Sequence, residues 1–533
     1  MPLNLTNLLN SAPVSPPHSH CHNTNTGPSP KELSLLLSPE TQANQFINQI
    51  KSITPTQPAT YNLNKKHLLK STSYQRPVPI TSFSYDQHRR IHTGNNQFLS
   101  LSPLLSPPDL IGLNLAHQID QAIYQDESID EALDGLLISL VDFLDKADPK
   151  DRLDHCRGVL SAGLITWRGI LTKLCASVYE NGRGGWTQEV MMVDGTVYMV
   201  DMKEQEEEEE EEKKGGSSRE QTYYGYSYEN LVTSPPGRVQ PVNTNVQWVA
   251  VVKANLNRTR IILGGEVDCV QSDAFNKLQQ PADQDNHTSQ IQTHQFIEIK
   301  TSILPSSDRD YFNLYRFKML KFWLQSYLLG VPKIHVGMRD RSGIVRGVQE
   351  YMTLGIPGLV REAQRQTAGG RWSAECCLGG GAGIVEFVMG KLRKDAAGAT
   401  DTRLGRCEAR LRDIVAEEVV RQRREPPGRG HGHLSEACRA QMATLREWPV
   451  YSLVFRPSSK PGQPGSLQLF ERPARPSSKP FSHSLFGYQH PLLRPSASPA
   501  SADRIGFLPD LWIAYLVQTR VQLALQSDPL PTS

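Results

Sequence analysis

At 533 residues the chain exceeds the usual span of one domain, yet only 38% of it is apolar, so one large folded region flanked by coreless segments, or two domains, is expected. Its 57 basic and 55 acidic residues cancel to +2, so charge argues neither for nor against nucleic acid, and any basic groove must be local. The eight cysteines form no Cys-x-x-Cys, no run approaches the roughly 20 apolar residues of a bilayer span, and the opening Met-Pro-Leu-Asn lacks a charged and then apolar leader. A reducing, intracellular setting without structural disulfides or membrane attachment is the expectation.

Residues 1–73, rich in Ser, Pro, Asn, Thr and Gln, read as a disordered extension. From Ser128 to Leu144 the residues Ile129, Leu133, Leu136, Leu137, Leu140 and Phe143 recur at helical spacing. Gly163-Leu-Ile-Thr-Trp167-Arg168-Gly169 follows, and Met191–Met202 then alternates like a strand hairpin. The glutamate run Glu206–Glu212 cannot pack and reads as a solvated loop rather than a protein-binding tail. Strands are expected at Tyr223–Tyr228, Gln247–Val252, Arg260–Val270 and, beyond a polar insert at Gln271–Gln295, Phe296–Thr301. Asp310–Leu329 is the best helix, with Leu314, Phe317, Leu320, Leu324 and Tyr327 spaced by three and four. Gly330 and Pro332 stop it, and Lys333–Met338 reads as a buried strand.

Past Gln364 the periodicity weakens, Arg and Gly accumulate, and Pro and Ser dominate Arg456–Ser501; Phe507–Leu525 is apolar again and reads as a terminal docking helix. The expected organisation is an extension over 1–73, a folded domain over 74–415 with inserts at 203–220 and 271–295, and a poorly assignable Pro/Ser/Arg-rich region over 416–533.

The chemistry sits on two strands. A period of two puts Glu266 and Asp268 on one face of Gly-Glu266-Val-Asp268-Cys, and Glu298 and Lys300 on one face of Phe-Ile-Glu298-Ile299-Lys300-Thr. Three carboxylates and an ammonium on such apolar strands are costly to bury unless they pair with each other or bind a metal. Cross-strand ion pairs are the plain reading. The alternative is a site for two Mg²⁺ or Mn²⁺ ions, which favour hard oxygen ligands, with Lys300 beside them to stabilise charge on phosphorus. Lys318, Lys321 and Gln325 form one helical stripe that could track phosphates or simply face solvent. Arg168, in an apolar neighbourhood, answers a buried carboxylate or a phosphate.

Taken in order, Trp167-Arg168-Gly169, Gly225-x-x-x-Glu229, Gly-Glu266-Val-Asp268-Cys, Glu298-Ile-Lys300-Thr-Ser and Leu320-Lys-Phe-Trp-x-Gln325-Ser resemble the motifs of the DXO family of RNA 5′-end decapping nucleases. Phe83-Ser-Tyr-Asp86 and Gly330-Val-Pro-x-Ile-x-Val-Gly-x-Arg339-Asp340 fit as well. The resemblance implies an α+β fold, a mixed central sheet flanked by helices and related to the D-(D/E)xK nucleases. It implies hydrolytic removal of incomplete or noncanonical caps, namely 5′-triphosphate, unmethylated guanosine and NAD ends. Glu229, Asp268, Glu298 and the carbonyl of Ile299 would hold metal, with Glu266, Asp268, Glu298 and Lys300 catalytic. Trp167, Arg168, Gly169, Glu266, Lys300 and Gln325 would contact substrate, as would Arg76 and Glu127, whose match is looser. Fungal members partner a nuclear 5′→3′ exoribonuclease, so that partner and a nuclear location are also implied. A non-catalytic stabiliser of that exoribonuclease is the rival reading, and intact carboxylates with Lys300 and Gln325 oppose it.

Other features carry less. His88-Arg-Arg-Ile-His92-Thr-Gly imitates the end of a zinc finger, but the nearest preceding cysteine is Cys21. His18-Ser-His20-Cys21-His22 and His431-Gly-His433 read as polar tails.

Overall fold

The computed structural model describes residues 39–63, 72–94, 110–180, 184–202, 216–234, 239–279, 291–366, 372–398, 401–424, 434–458, 465–472 and 504–527. The glutamate run at Glu206–Glu212 and both histidine tails lie outside these residues.

In chain order the strands are β1 (Ala59–Asn62), β2 (Val78–Tyr85), β3 (Ile91–Thr93), β4 (Leu164–Trp167), β5 (Trp186–Val193), β6 (Thr196–Asp201), β7 (Gln247–Leu256), β8 (Thr259–Glu266), β9 (Cys269–Val270), β10 (Phe296–Ile303), β11 (Lys333–Arg339), β12 (Val345–Met352), β13 (Tyr451–Arg456) and β14 (Ser466–Glu471). Ten of them form one mixed sheet, ordered β1-β14-β13-β5-β6-β4-β8-β7-β2-β3, and four form a second, ordered β12-β11-β10-β9. β4 runs parallel to β6 and β8, and β10 parallel to β11; the other ladders are antiparallel. Central strand β8 is buried on both faces at Ile261, Ile262 and Leu263, as its near-continuous apolar run requires. The β5–β6 hairpin closes through Asp194 and Gly195 at φ of 53° and 79°, the left-handed pair that a two-residue turn needs.

Helices cover the sheet. Arg168–Ala176 packs against both Met319–Leu329 and Ala374–Ala397, while Asp134–Lys146 lies on β2. The apolar core beneath them is separate from a smaller one, in which Tyr223, Tyr224 and Tyr228 meet Ile297, Ile299 and Val345 of the second sheet. Among the described residues no helix is long and apolar enough to cross a membrane.

Several expectations change. Tyr223–Tyr228 is not a strand but part of the Gly216–Thr233 helix, which begins inside the expected 203–220 insert. Its buried residues Tyr223, Tyr224, Ser227, Tyr228, Leu231 and Val232 recur with helical period. The helix expected from Ser128 starts at Asp134 and runs to Lys146. Arg260–Val270 is two strands, because the chain leaves the first sheet after Glu266 and enters the second at Cys269. Part of the polar 271–295 insert is ordered as the Ser272–Gln279 helix.

The helix before Gly330 holds a π turn, Leu314–Lys318, between Asp308–Asn313 and Met319–Leu329. Gly330 ends it in the left-handed region at φ 81°. Within the segment expected to be a disordered extension, Pro39–Ser52 is helical and β1 joins the large sheet. The fold also continues past residue 415: β13 and β14 extend the same sheet, and Asp510–Ser527 is a helix packed on Asp134–Lys146 and Arg403–Arg424.

Candidate metal and phosphodiester site

The crossing from β8 to β9 builds the site. Glu266 is the last residue of the large sheet, where it sits opposite Val249 of β7. Val267 donates to the Trp248 carbonyl at 3.0 Å, and Asp268 follows in the step to the small sheet. One Asp268 oxygen, Oδ2, accepts the Ile299 amide of β10 at 2.6 Å and stands 3.4 Å from Lys300 Nζ. Glu298 is 1% exposed, and its Oε1 lies 2.6 Å from Lys300 Nζ and 3.6 Å from an Arg168 guanidinium nitrogen. Arg168 also donates to the Glu266 carbonyl at 3.1 Å.

Two glycines let this approach happen. A Cβ at Gly264 would strike the Trp167 ring at 2.8 Å, and one at Gly265 would come within 3.1 Å of the Arg168 Cβ. The Gly264-Gly265 pair therefore seats Trp167-Arg168 directly on β8. Trp167 is held by its indole N–H, which donates to the Ala132 carbonyl at 2.7 Å. Gly169 is exposed beside it.

Glu229 arrives from the Gly216–Thr233 helix. Its neighbour Tyr228 stacks on His335 of β11 with ring centroids 5.9 Å apart and a 2.9 Å hydroxyl–imidazole hydrogen bond. A Cβ at Gly337 would hit the Tyr228 ring at 2.4 Å, so that glycine sets the depth at which the helix docks.

The electrostatics record the crowding. Burial and then the charges of Asp268 and Glu266 push Glu229 well above the usual carboxylate range. Burial, with Asp268 next, pushes Glu266 up to about 7. Asp268 rises to about 6, because burial and Glu298 outweigh Lys300, the Ile299 N–H and Arg168. Burial would raise Glu298 too, but Lys300 and Arg168 prevail and hold it below the ordinary value. Lys300 is the mirror case: burial pulls it down, and Asp268 with Glu298 pull it further up.

Among the described residues no three His, Cys, Asp or Glu groups already stand at metal-holding separations. Lys300 and Arg168 draw in the oxygens instead, and Lys300 also donates to the Ile299 carbonyl at 3.0 Å. The donor set nevertheless fits a hard cation. Both Glu298 oxygens are buried without a hydrogen-bond donor in good geometry, so the ion pair leaves them under-satisfied. Three further carboxylates lie within electrostatic reach, all oxygen donors of the kind Mg²⁺ and Mn²⁺ take.

The remaining expected contacts are spread more widely. Gln325 is half-buried on the Met319–Leu329 helix and, among the described residues, makes no hydrogen bond to the carboxylates; Lys321 is exposed one turn earlier. Lys318 is drawn inward, its Nζ 3.4 Å from the Thr301 carbonyl, and burial lowers it to about 8. Glu127 is exposed near Tyr226, and its charge helps keep the Tyr226 proton on. Arg76 lines a recess with Gln75, Pro77, Gln292, Thr293 and His294, apart from the carboxylates. Sequence reading missed Gln247, whose amide lies 3.4 Å from Glu266 and whose oxygen is held by Arg89 at 2.8 Å. Arg89 is itself fixed by Glu131 at 2.8 Å. No motif marks that relay, because its members come from three separate segments.

A strand-borne Glu-x-Lys facing an aspartate from the crossing between two sheets, with helices around them, defines a nuclease of the PD-(D/E)XK class. The chain belongs to the RAI1-like PD-(D/E)XK nuclease family, whose model matches residues 75–421. It is 31% identical over 339 residues to the decapping nuclease RAI1 of Aspergillus fumigatus, covering 61% of this chain and 84% of that one. It is 28% identical over 348 residues to the human decapping and exoribonuclease protein, covering 64% and 80%. Among solved structures, Scheffersomyces stipitis Rai1 in complex with 3′-NADP⁺ and calcium matches with TM-score 0.55 at 19% identity, covering 79% of this chain and 93% of that one. Candida albicans Rai1 in complex with pU5 and Mn²⁺ matches with TM-score 0.53 at 17% identity, covering 78% and 94%. Both share the fold.

Proposed function

We propose that this chain is a divalent-metal-dependent hydrolase that removes incomplete or noncanonical caps from RNA 5′ ends, acting on triphosphate, unmethylated guanosine and NAD termini. The observation that carries the proposal is the meeting of Glu229, Glu266, Asp268 and Glu298 with Lys300 and Arg168 where the two sheets join. Relatives named as decapping nucleases support it.

Glu229, Asp268, Glu298 and the Ile299 carbonyl would hold Mg²⁺ or Mn²⁺, two ions in all. Bound there, such ions supply Lewis acidity at the phosphoryl oxygens and a nucleophile competent near neutral pH. The chain's own groups do the rest. Glu266, beside those ligands, takes a proton from the attacking water at its carboxylate. The Lys300 ammonium, fixed between Asp268 and Glu298, stabilises charge building on the phosphoryl group as the bond to the leaving oxygen breaks. Arg168, whose guanidinium shares Glu298 Oε1 with Lys300, orients the phosphoryl group, and Trp167 with Gly169 borders the terminal nucleotide.

Glu298→Gln keeps the volume of the side chain and removes its charge. Mn²⁺-dependent release of pyrophosphate or cap from triphosphate-ended and guanosine-capped RNA should fall by about a hundredfold or more, with the circular dichroism spectrum unchanged. Undiminished release by the folded variant would refute the assignment and favour a non-catalytic partner.

Partnership with a nuclear 5′→3′ exoribonuclease and a nuclear location belong to the same reading, supported by family resemblance alone. Co-purification of tagged full-length chain with that exoribonuclease, and imaging of the tag, test them; failure to co-purify and a cytoplasmic signal would count against each in turn.

A further inference from the structure

The acidic site has an aromatic rim that the chemistry above does not use. Arg219, Tyr223, Tyr226 and Glu229 follow one another at steps of four, three and three along the Gly216–Thr233 helix, so they share one face that ends at the carboxylates. Tyr223 is buried, and its hydroxyl is spent on the His117 carbonyl. Tyr226 is 41% exposed. Tyr124, 40% exposed, comes to the same place from another segment, beside Ile123, which bridges to Asn243. The Arg219 guanidinium stands 5.5 Å over the Tyr124 ring. The Tyr226 hydroxyl lies within reach of the charges of Glu266, Glu229 and Glu127, and Tyr124 lies within reach of it in turn, so the two partly exposed rings stand together beside the carboxylate Glu229.

A phosphate-bearing ligand gains little from a pocket of four carboxylates and two cations before ions enter. Binding free energy has to come from a part of the ligand that is not the phosphate. Nucleobases supply it by stacking on exposed aromatic rings, a contact indifferent to base identity and worth about tenfold to a hundredfold in affinity per base. An arginine laid on one ring adds a cation for the adjoining backbone.

We propose that Tyr226 and Tyr124 form a stacking site for the nucleobase that adjoins the scissile phosphate, and so set affinity for the RNA end without entering the bond-breaking step. The inference rests on the hydrolase reading above. That base is either the first base of the RNA or the base of the cap. The test combines Mn²⁺-dependent turnover with equilibrium binding of a fluorescent oligoribonucleotide to the full chain, for wild type, Tyr226→Ala, Tyr226→Phe, Tyr226→Trp and Tyr124→Ala. Substrates are triphosphate-ended RNA, the same RNA abasic at its first position, and guanosine-capped RNA.

Tyr226→Ala and Tyr124→Ala should each raise KM and Kd by about tenfold or more, with kcat held within about threefold, and Phe or Trp at position 226 should restore wild-type values. Loss on triphosphate-ended RNA that vanishes on the abasic substrate assigns the stacked base to the RNA. Loss confined to guanosine-capped RNA assigns it to the cap. Unchanged KM and Kd on every substrate, or a fall in kcat that Phe does not rescue, overturns the stacking site. Wild-type chain that binds RNA yet turns over nothing would overturn the hydrolase reading instead, and the binding arm still decides the role of Tyr226.

Discussion

If these carboxylates hold the metal as proposed, protons and metal ions compete for the same oxygens. Glu266 titrates at about 7 and Asp268 at about 6 in the folded chain, against ordinary values of 4.5 and 3.8. Raised carboxylates favour the fold when protonated: their contribution is complete below the ordinary values and is lost as pH rises through 6 and 7. Glu298 is depressed and works in reverse, its contribution present above the ordinary value and lost as pH falls through its lowered one. Metal-free protein should therefore lose stability between pH 5 and pH 8 through Glu266 and Asp268. A cation held as proposed needs Asp268 ionised and its charge favours the ionised form of Glu266 beside it, so binding would release protons and return that stability at high pH. Scanning calorimetry should show a Tm increment from Mn²⁺ that grows from pH 5 to pH 8, with a shallower slope in Glu266→Gln. An increment independent of pH would contradict this picture of the site.

Secondary structure was most legible where burial and alternation agreed. β10 and β11 stood out because buried branched residues frame Glu298 and Lys300, and the Met319–Leu329 helix because its apolar period and Gly330 stop coincide. The Gly216–Thr233 helix was misread for a physical reason. Tyr224, Tyr226 and Tyr228 alternate and favour strands, and only the buried set, which includes Ser227 and Leu231, reveals the helical face. The Glu229 motif nevertheless pointed to a carboxylate that the fold brings within electrostatic reach of Asp268 and Glu266, since motif order does not depend on the element that carries it. The Asp510–Ser527 helix was legible as a docking element, but not what it docks on. Trp512, 1% exposed, donates its indole N–H to the Tyr198 hydroxyl of β6 at 2.9 Å, edge-on to that ring. Trp512→Ala should cost about 3 to 5 kcal/mol by leaving a cavity and removing the indole donor from the Tyr198 hydroxyl. Chemical denaturation would measure it, and a loss below about 1 kcal/mol would show that the helix is not part of the core.

At the scale of the whole chain, the span that carries the family pattern is shorter than the span that closes the fold. Residues 75–421 include every carboxylate of the site but omit β1, β13, β14 and the terminal helix. These pieces interlock: β1 pairs with β14 at Ala59 and Leu469, β14 with β13, and β13 with β5 at Tyr451 and Val190. Asp395 joins them from below, 2.6 Å from Lys391 and 3.3 Å from the hydroxyls of Thr56 and Tyr451. The sequence hid this closure because Pro- and Ser-rich stretches surround short strands whose partners lie hundreds of residues away. A fragment of residues 75–421 would bare the whole hydrogen-bonding edge of β5, with Val190 and Met191 behind it, and such edges recruit other chains. It should therefore aggregate or melt without cooperativity, and show no Tm increment from Mn²⁺, even though its motifs are intact. The full chain should melt in one transition that Mn²⁺ raises. Cooperative melting of the fragment, with the same Mn²⁺ increment as the full chain, would mean that the terminal strands only decorate a site that stands without them.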